Sequence, residues 1–411
     1  MALRIDCANT RMSALQTTVD LLLEQESLSS RRCRRIEAFP ASWRRRIADL
    51  ASRSPAIEDL ADSFPALLFA LATGYGTAEQ QRRSLSLIAA GAPLRAAADA
   101  LGIAWWLRKV PPNAFATPLA VFSNDSDFAV RISNVIPSEP RLLPAWLGRV
   151  GHAQEACGPA YALWVARQPD LATSSEDLAL LMAAWAWFSG QQGHLGCHLL
   201  RTPWHRDMSF RRARDELSIW HQRVRLAECL GHGIATPWLT DGSARGYSFV
   251  ALRTIEDFVA ESDALDNCLD RYADHLNAGA SAIFSIRKGA RRIGCVEIGL
   301  HPTEISMPAI VQLKAARNRQ APPEVWRATF TWLGGQDLGT FPLRTAKRGN
   351  RVEGRQRLWE PYLGFLAGTR HEEPLRRLVL KRTRRHGSRL PALPGAARVP
   401  ALGARANIRQ A

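Results

Sequence analysis

The chain has 411 residues, of which 46% are apolar and 22% charged, so it has room for two domains with a buried core. Its longest apolar window, residues 178–188, is far shorter than the ~20 residues that a membrane-spanning helix needs. Charged residues also interrupt the first 26 positions, which excludes a secretory signal. We therefore expect a soluble, cytoplasmic protein whose seven scattered cysteines are reduced.

The net charge of +16 is concentrated at one end of the sequence. Residues 341–411 hold 17 Lys and Arg against 4 Asp and Glu, a net charge of +13, so the remainder carries only +3. Arg supplies 49 of the 54 cations, and a general preference for arginine is one source of the excess. The imbalance over acidic residues at the C-terminal end favours a polyanionic partner.

Residues 1–200 form the first predicted domain, in which the patterns are helical. Apolar residues between Pro55 and Gly74 recur at steps of three and four, which predicts a helix with both ends marked. Residues 176–191 are apolar on almost every side, so we expect a buried helix there. Prolines separate shorter helices, and no fixed period indicates repeats.

The second predicted domain, residues 201–340, is α+β. A helix begins after Ser209, a strand follows at 247–252, and another helix begins near Thr254. Apolar residues at helical spacing then predict an amphipathic helix over residues 265–276. The later elements are strands at Ser281–Arg287, Ile293–Ile298 and Ala309–Lys314 and a helix over 324–333. This order predicts a helix packed on an antiparallel meander.

The third predicted segment, residues 341–411, is a basic and partly disordered tail. One amphipathic patch, Leu358 to Leu366, interrupts it, and we expect disorder beyond about Gly387. Its cations, with aromatic residues among them, suit a phosphate backbone bound without sequence preference. The candidate nucleic-acid-binding residues are Arg344, Lys347, Arg348, Arg351, Arg355, Arg357, Arg376, Arg377, Lys381, Arg382, Arg384 and Arg385. The competing interpretation is a solubilising tail.

The α+β segment also carries a family pattern. The pattern is formed by Cys268, Tyr272, Ala273, Gly279, Ser281, Phe284, Ile286, Glu297, Gln312 and Asn318. It resembles the PcfJ-like family over roughly residues 205–335. Members of that family are bacterial proteins often carried on conjugative plasmids and other mobile elements. The chain departs from the family in having Asn267 where a His usually precedes the cysteine.

Cys268 is a candidate nucleophile, because a helix N-terminus lowers the pKa of a thiol. The residue before it, Asn267, cannot accept a proton. Cys268 also falls on the apolar stripe of the predicted helix, so a buried structural cysteine is the favoured interpretation. Asp266 or Asn267 is a candidate helix cap.

Glu297 and Gln312 are polar residues within apolar strands. If Val296 and Ile298 face the helix, strand alternation places Glu297 on the opposite face, with Gln312 and Lys314 beside it. Together with Asn318, that face could bind a ligand, although a solvated face is favoured.

The sequence offers little support for other chemistries. His194, Cys197, His198, His205, Cys229 and His232 invite a zinc interpretation, but glycines interrupt the helix and no second ligand pair has finger-like spacing. Nucleotide-binding loops, dinucleotide fingerprints, HExxH and GxSxG are absent from the sequence. We expect no metal and no cofactor.

The charge segregation and the family resemblance together favour one function. We expect a non-enzymatic, nucleic-acid-associated accessory protein of a plasmid or other mobile genetic element, related to DNA mobilisation or conjugation. Two alternatives remain: an enzyme of unknown reaction that uses Cys268, Glu297, Gln312 and Asn318, or a protein-interaction scaffold built on the helical half. The enzyme alternative predicts that these four side chains converge in one pocket.

Overall fold

The computed structural model describes residues 34–172, 174–231, 233, 239–273, 276, 281–300, 307–337 and 351–380. Helices fill the first half and a five-stranded antiparallel sheet lies in the second, which confirms the α+β prediction. The helices before the sheet are α1 (Ala41–Ala51), α2 (Pro55–Glu58), α3 (Leu60–Ser63), α4 (Pro65–Thr73), α5 (Ala78–Ala89), α6 (Leu94–Leu101), α7 (Ser126–Ser133), α8 (Leu143–Cys157), α9 (Pro159–Ala166), α10 (Pro169–Ala172), α11 (Glu176–Phe188), α12 (Leu195–His198) and α13 (Phe210–Leu230). The later elements are β1 (Gly242–Ala244), β2 (Tyr247–Ala251), α14 (Ile255–Leu265), β3 (Ser281–Lys288), β4 (Arg291–Leu300), β5 (Pro308–Ala315), α15 (Pro323–Gly334), α16 (Arg351–Phe365) and α17 (Glu372–Leu380).

The helical region is built around a continuous apolar core. The Ser175 side chain accepts a hydrogen bond from Leu178 N and so starts α11, which is buried on most sides as predicted. Trp185 on α11 and Trp220 on α13 are fully buried in this core. The core does not end at the predicted boundary near residue 200, since α13 packs against α11.

Residues 351–380 belong to this core as well. Leu358, Trp359 and Tyr362 on α16 are almost completely buried, and the Trp359 ring meets those of Trp220 and Phe188. This stretch holds six Arg and four Glu, so its net charge is only +2. The predicted basic tail therefore contains a nearly neutral pair of packed helices.

A pair of buried histidines joins the start of α17 to α8. His152 Nδ1 lies 2.8 Å from His371 Nδ1, and His371 Nε2 lies 2.7 Å from a carboxylate oxygen of Glu155. Two facing ring nitrogens can share only one proton, so at least one ring must accept. Burial lowers the pKa of His152 well below its usual value, and the neighbouring charges of His371, Arg149 and Arg370 lower it further.

We expect the free energy of unfolding to fall as the pH drops from 7.5 to 5.5. The pKa of His152 is lowered on folding, so its contribution is complete above the unfolded value of about 6.5 and is lost at about 1.4 kcal/mol per pH unit below it. Urea unfolding at both pH values measures this loss. His152→Gln should reduce the pH dependence, whereas the exposed control His205→Gln should keep it. An equal pH dependence in His152→Gln would contradict the assignment.

The sheet has the order β1-β2-β3-β4-β5, with every neighbouring pair antiparallel. One face of the sheet packs on α15. Phe284 and Val296 of the sheet and Trp332 of α15 are buried between them. The other face carries Ile283 and Cys295 and joins α14 and the helical core. The sheet is thus covered on both faces, and its second face positions the candidate site.

Of the helices that the structure describes, none is both long enough and apolar enough to cross a membrane.

Candidate active site

The chain leaves α14 through a turn that carries Cys268. The helix ends at Leu265 because Asp266 adopts a left-handed backbone with φ of 48°, a conformation that Asp tolerates better than most residues. Asn267 Oδ1 then accepts a hydrogen bond from Leu269 N, where a 3-10 turn over Leu269–Arg271 begins. The predicted continuous helix over residues 265–276 is therefore wrong at its start. Cys268 lies outside the helical stripe and is partly exposed instead of buried.

A buried arginine fixes this turn to the helical region. Arg223 on α13 is 1% exposed, pairs with Asp263 on α14, and lies 4.0 Å from the buried carboxylate of Asp270 in the 3-10 turn. The Arg223 guanidinium also donates to the carbonyl of Leu199. A buried cation with two carboxylates holds α13, α14 and the turn in one arrangement.

Glu297 and Gln312 face each other across β4 and β5, as predicted. Gln312 Nε2 donates to Glu297 Oε2 at 2.7 Å. The predicted solvated face is wrong, because Glu297 is 5% exposed and lies on the sheet face covered by α14 and the turn that follows it. Val296 and Ile298 face α15, so the sheet has a helix on each side. The register shifts directly after Glu297, and such bulges often adjoin functional sites.

Asn318 reaches the same place from the end of β5. Arg317 and Asn318 both have left-handed backbones, with φ of 57° and 55°. This conformation costs about 1–3 kcal/mol for a residue other than Gly and is most often found where function requires it. Arg317 Nε lies 3.4 Å from Asp266 Oδ2, so an ion pair joins the two left-handed turns. In this arrangement the Cys268 thiol donates to Asn318 Oδ1 at 3.7 Å.

The four predicted catalytic candidates therefore line one pocket. Its wall consists of Asn267, Cys268, Leu269, Tyr272, Ile283, Cys295, Glu297, Gln312, Lys314 and Asn318. The enclosed space is about 20 Å³, enough for a group the size of one water molecule. Such a pocket can admit one small polar group of a substrate, while the rest of that substrate remains outside.

Tyr272 lies between the thiol and the carboxylate. Burial raises the pKa of the Tyr272 hydroxyl, and the charge of Glu297 raises it further. The hydroxyl therefore remains protonated and can donate a hydrogen bond. The pocket combines two thiols, a carboxylate, an ammonium group, a phenol and three amides.

A second thiol lies behind the first. Cys295 is buried, receives a hydrogen bond from Asn267 Nδ2 at 3.7 Å, and donates to Glu261 Oε1 at 3.5 Å. Burial raises its pKa well above the usual value, and the charge of Glu261 adds to the effect. Glu261 is fully buried and lies 2.8 Å from Arg292 Nε. Cys295 is thus a protonated thiol that helps to hold Asn267, whereas Cys268 is the accessible one.

Two residues of the pocket wall make contacts that the sequence did not predict. Lys314 is not one of them, since strand alternation had already placed it beside Glu297 and Gln312. Tyr272 was assigned to an apolar stripe, because its hydroxyl contact with Glu297 depends on the turn at Asp266. Asn267 was considered only as a cap, yet it also holds Cys295.

The predicted nucleic-acid-binding residues have separate outcomes. Arg344, Lys347, Arg348, Lys381, Arg382, Arg384 and Arg385 lie outside the described residues, as does the side chain of Arg351. The prediction is wrong for Arg355, whose side chain is buried. Its Nε lies 3.4 Å from Glu228 Oε2 and its guanidinium also donates to the Leu380 carbonyl, so its charge is neutralised inside the fold. Arg376 and Arg377 pair with Glu372 and Glu373 one helical turn earlier, and Arg357 is exposed.

Within the described ranges, no group of three His, Cys, Asp or Glu side chains could hold a metal ion. His232 of the considered zinc ligands falls outside those ranges.

Comparisons with protein-family models, with curated proteins and with solved structures returned no match. The resemblance to the PcfJ-like family therefore stays a prediction, and the function is argued from the geometry of the pocket.

Proposed function

We propose that the chain is a thiol-dependent enzyme that acts on a small carbonyl group, with Cys268 as the nucleophile. The observation that carries the proposal is the convergence of Cys268, Tyr272, Glu297, Gln312 and Asn318 on one pocket from three separate segments of the chain. Two left-handed turns, an ion pair and a buried Arg223 maintain this arrangement. A merely structural cysteine requires none of these features.

The chemistry follows from the groups present. Cys268 Sγ forms a bond to the carbonyl carbon, and Glu297 takes the thiol proton and returns it to the departing group. The amide groups of Gln312 and Asn318 donate hydrogen bonds to the carbonyl oxygen as it gains negative charge, while the Tyr272 hydroxyl stays hydrogen-bonded to Glu297 and holds that carboxylate in place. Water then cleaves the thioester, which releases a carboxylic acid and restores the thiol.

The test uses p-nitrophenyl acetate with the full chain. We expect acetylation of Cys268, detected as a mass increase on its peptide together with release of p-nitrophenol. Glu297→Gln should slow acetylation by about 10²–10⁴-fold, the usual contribution of a general base. Cys268→Ala should abolish it, and Cys197→Ala, which removes a partly exposed thiol outside the pocket, is the control that should retain it. Acetylation that is unchanged in Cys268→Ala would remove the proposal.

A second candidate function is association with nucleic acid, as part of a plasmid or other mobile element. The supporting observation is the positive charge of the sequence on either side of the packed helices. Residues 341–350 and 381–411 together hold 11 Lys and Arg and no Asp or Glu. These two segments flank α16 and α17, and the PcfJ-like resemblance implies a setting in which DNA is handled.

Filter binding to a DNA duplex tests the second candidate. We expect an affinity that falls with salt, because the slope of log K against log salt is about 0.9 per phosphate neutralised. Deletion of residues 381–411 should reduce the slope while retaining α17. A control variant, Arg376→Gln with Arg377→Gln, should reduce it less, because both side chains are already paired. Binding that is independent of salt and of the deletion would contradict this function.

A further inference from the structure

A second cavity lies in the helical region, on elements that contribute nothing to the Cys268 pocket. It has a volume of about 200 Å³ and opens between α7, α9 and the segment before α13. Phe128, Leu163 and Trp164 form a buried apolar floor. The Trp164 ring is fixed because its Nε1 donates to the Met208 carbonyl at 2.6 Å. Pockets for drug-sized ligands begin at about 300 Å³, so this cavity suits a smaller molecule with an apolar body.

Three arginines surround the opening. Arg131 belongs to α7, Arg167 directly follows α9, and Arg206 lies in the segment before α13. Three elements that are distant in sequence thus bring their cations to one cavity. Their convergence over an apolar floor distinguishes this place from the scattered arginines of an Arg-rich surface.

The acidic residues at the opening are already engaged within α7. Asp125 Oδ1 accepts a hydrogen bond from Phe128 N at 2.8 Å and caps the helix. Asp127 pairs with Arg131 at 3.1 Å. The side chain of Arg167, in contrast, makes no hydrogen bond or ion pair with the residues that the structure covers, and Arg206 lies 3.8 Å from the exposed Asp207. Two guanidinium groups are therefore left to meet an incoming anion.

The first turn of α9 also lines the cavity, at Pro159 and Ala160. Pro159 has no N–H, so Ala160 supplies the backbone N–H there, and N–H groups of a first helical turn favour negative charge near them. The N-terminus of α7 is already capped by the Asp125 carboxylate.

We propose that this cavity binds a small organic anion, with its apolar body against Phe128 and Trp164 and its anionic group between Arg167 and Arg206. The ligand class is an aromatic or aliphatic phosphate or carboxylate. The inference does not depend on the reaction proposed for Cys268.

Calorimetric titration of the full chain with phenyl phosphate tests the proposal. We expect saturable binding that weakens by at least about tenfold in the double variant Arg167→Gln, Arg206→Gln, because both charge-assisted hydrogen bonds are lost. Arg95→Gln, which removes an exposed arginine of α6, is the matched charge control and should leave the affinity unchanged. Benzyl alcohol, which lacks the charge, and inorganic phosphate, which lacks the apolar body, should each bind more weakly.

A second variant separates shape from charge. Ala160→Leu keeps every arginine and fills the opening, so it should also weaken phenyl phosphate binding, while its thermal unfolding by circular dichroism remains that of the parent chain. Absence of saturable binding to the parent chain would overturn the proposal. So would an affinity that is unchanged in both variants. Inorganic phosphate or benzyl alcohol binding as tightly as phenyl phosphate would overturn the ligand class.

Discussion

Replacing Arg223 by Met should lower the free energy of unfolding by about 3–5 kcal/mol, the usual cost of removing one partner from a buried ion pair. The methionine fills much of the same space, but the buried carboxylate of Asp270 loses the Arg223 cation. Because Asp270 lies in the turn that carries Cys268, the same change should slow acetylation of Cys268 by p-nitrophenyl acetate. Urea unfolding measures the first effect and peptide mass analysis the second.

Two further variants give this prediction its controls. Arg212→Met removes an exposed arginine from the same helix and should change the free energy of unfolding by less than about 0.5 kcal/mol. Adding Asp270→Asn to Arg223→Met removes the buried negative charge that faced Arg223 and should recover part of the loss. A loss under about 1 kcal/mol for Arg223→Met would show that the ion pair does not organise the turn.

Replacing Trp359 by Ala should cost about 3–5 kcal/mol of stability, the usual range for a buried Trp reduced to Ala. Trp359 is 1% exposed, and its Nε1 donates to Glu228 Oε1 at 2.9 Å. Burial raises the pKa of Glu228, and the hydrogen bond from Trp359 and the charge of Arg355 oppose that rise. The variant therefore leaves both a cavity and a poorly solvated carboxyl group. Urea unfolding of the full chain measures the cost.

Phe365→Ala on the same helix is the matched control. The ring is 48% exposed, so its removal should cost only about 1 kcal/mol. The contrast between the two variants tests whether residues 351–380 are part of the fold or a basic tail. Equally small losses of stability in both variants would indicate that residues 351–380 are a basic tail.

The sequence predicted the elements well where one local pattern decides the structure. The meander strands alternate as expected, and the Glu297–Gln312 register followed from that alternation. The helix that begins near Thr254 was found as well, and the Thr254 side chain caps it by accepting from Asp257 N. The enzyme alternative predicted that four polar side chains converge. The structure places these residues in one pocket: Cys268, Glu297, Gln312 and Asn318.

The errors arose where tertiary contacts override local pattern. The apolar spacing from Leu265 onward is helical, but the left-handed Asp266 and the buried Arg223 break the helix there. Position along the strand could not show that Glu297 is buried, because α14 and its turn cover that face. Nor could charge counting show that Arg355 is neutralised by Glu228, more than a hundred residues away.

Iodoacetamide labelling of the folded chain is the sharpest test of Cys268 as the nucleophile, because a nucleophile must be an accessible and reactive thiol. Mass analysis gives the rates for the five cysteines that the structure describes, Cys157, Cys197, Cys229, Cys268 and Cys295, in one experiment. We expect Cys268 to be labelled first among these five, Glu297→Gln to slow its labelling, and Cys295 to react only after unfolding. Labelling of Cys268 no faster than that of Cys295 in the folded chain would contradict this expectation.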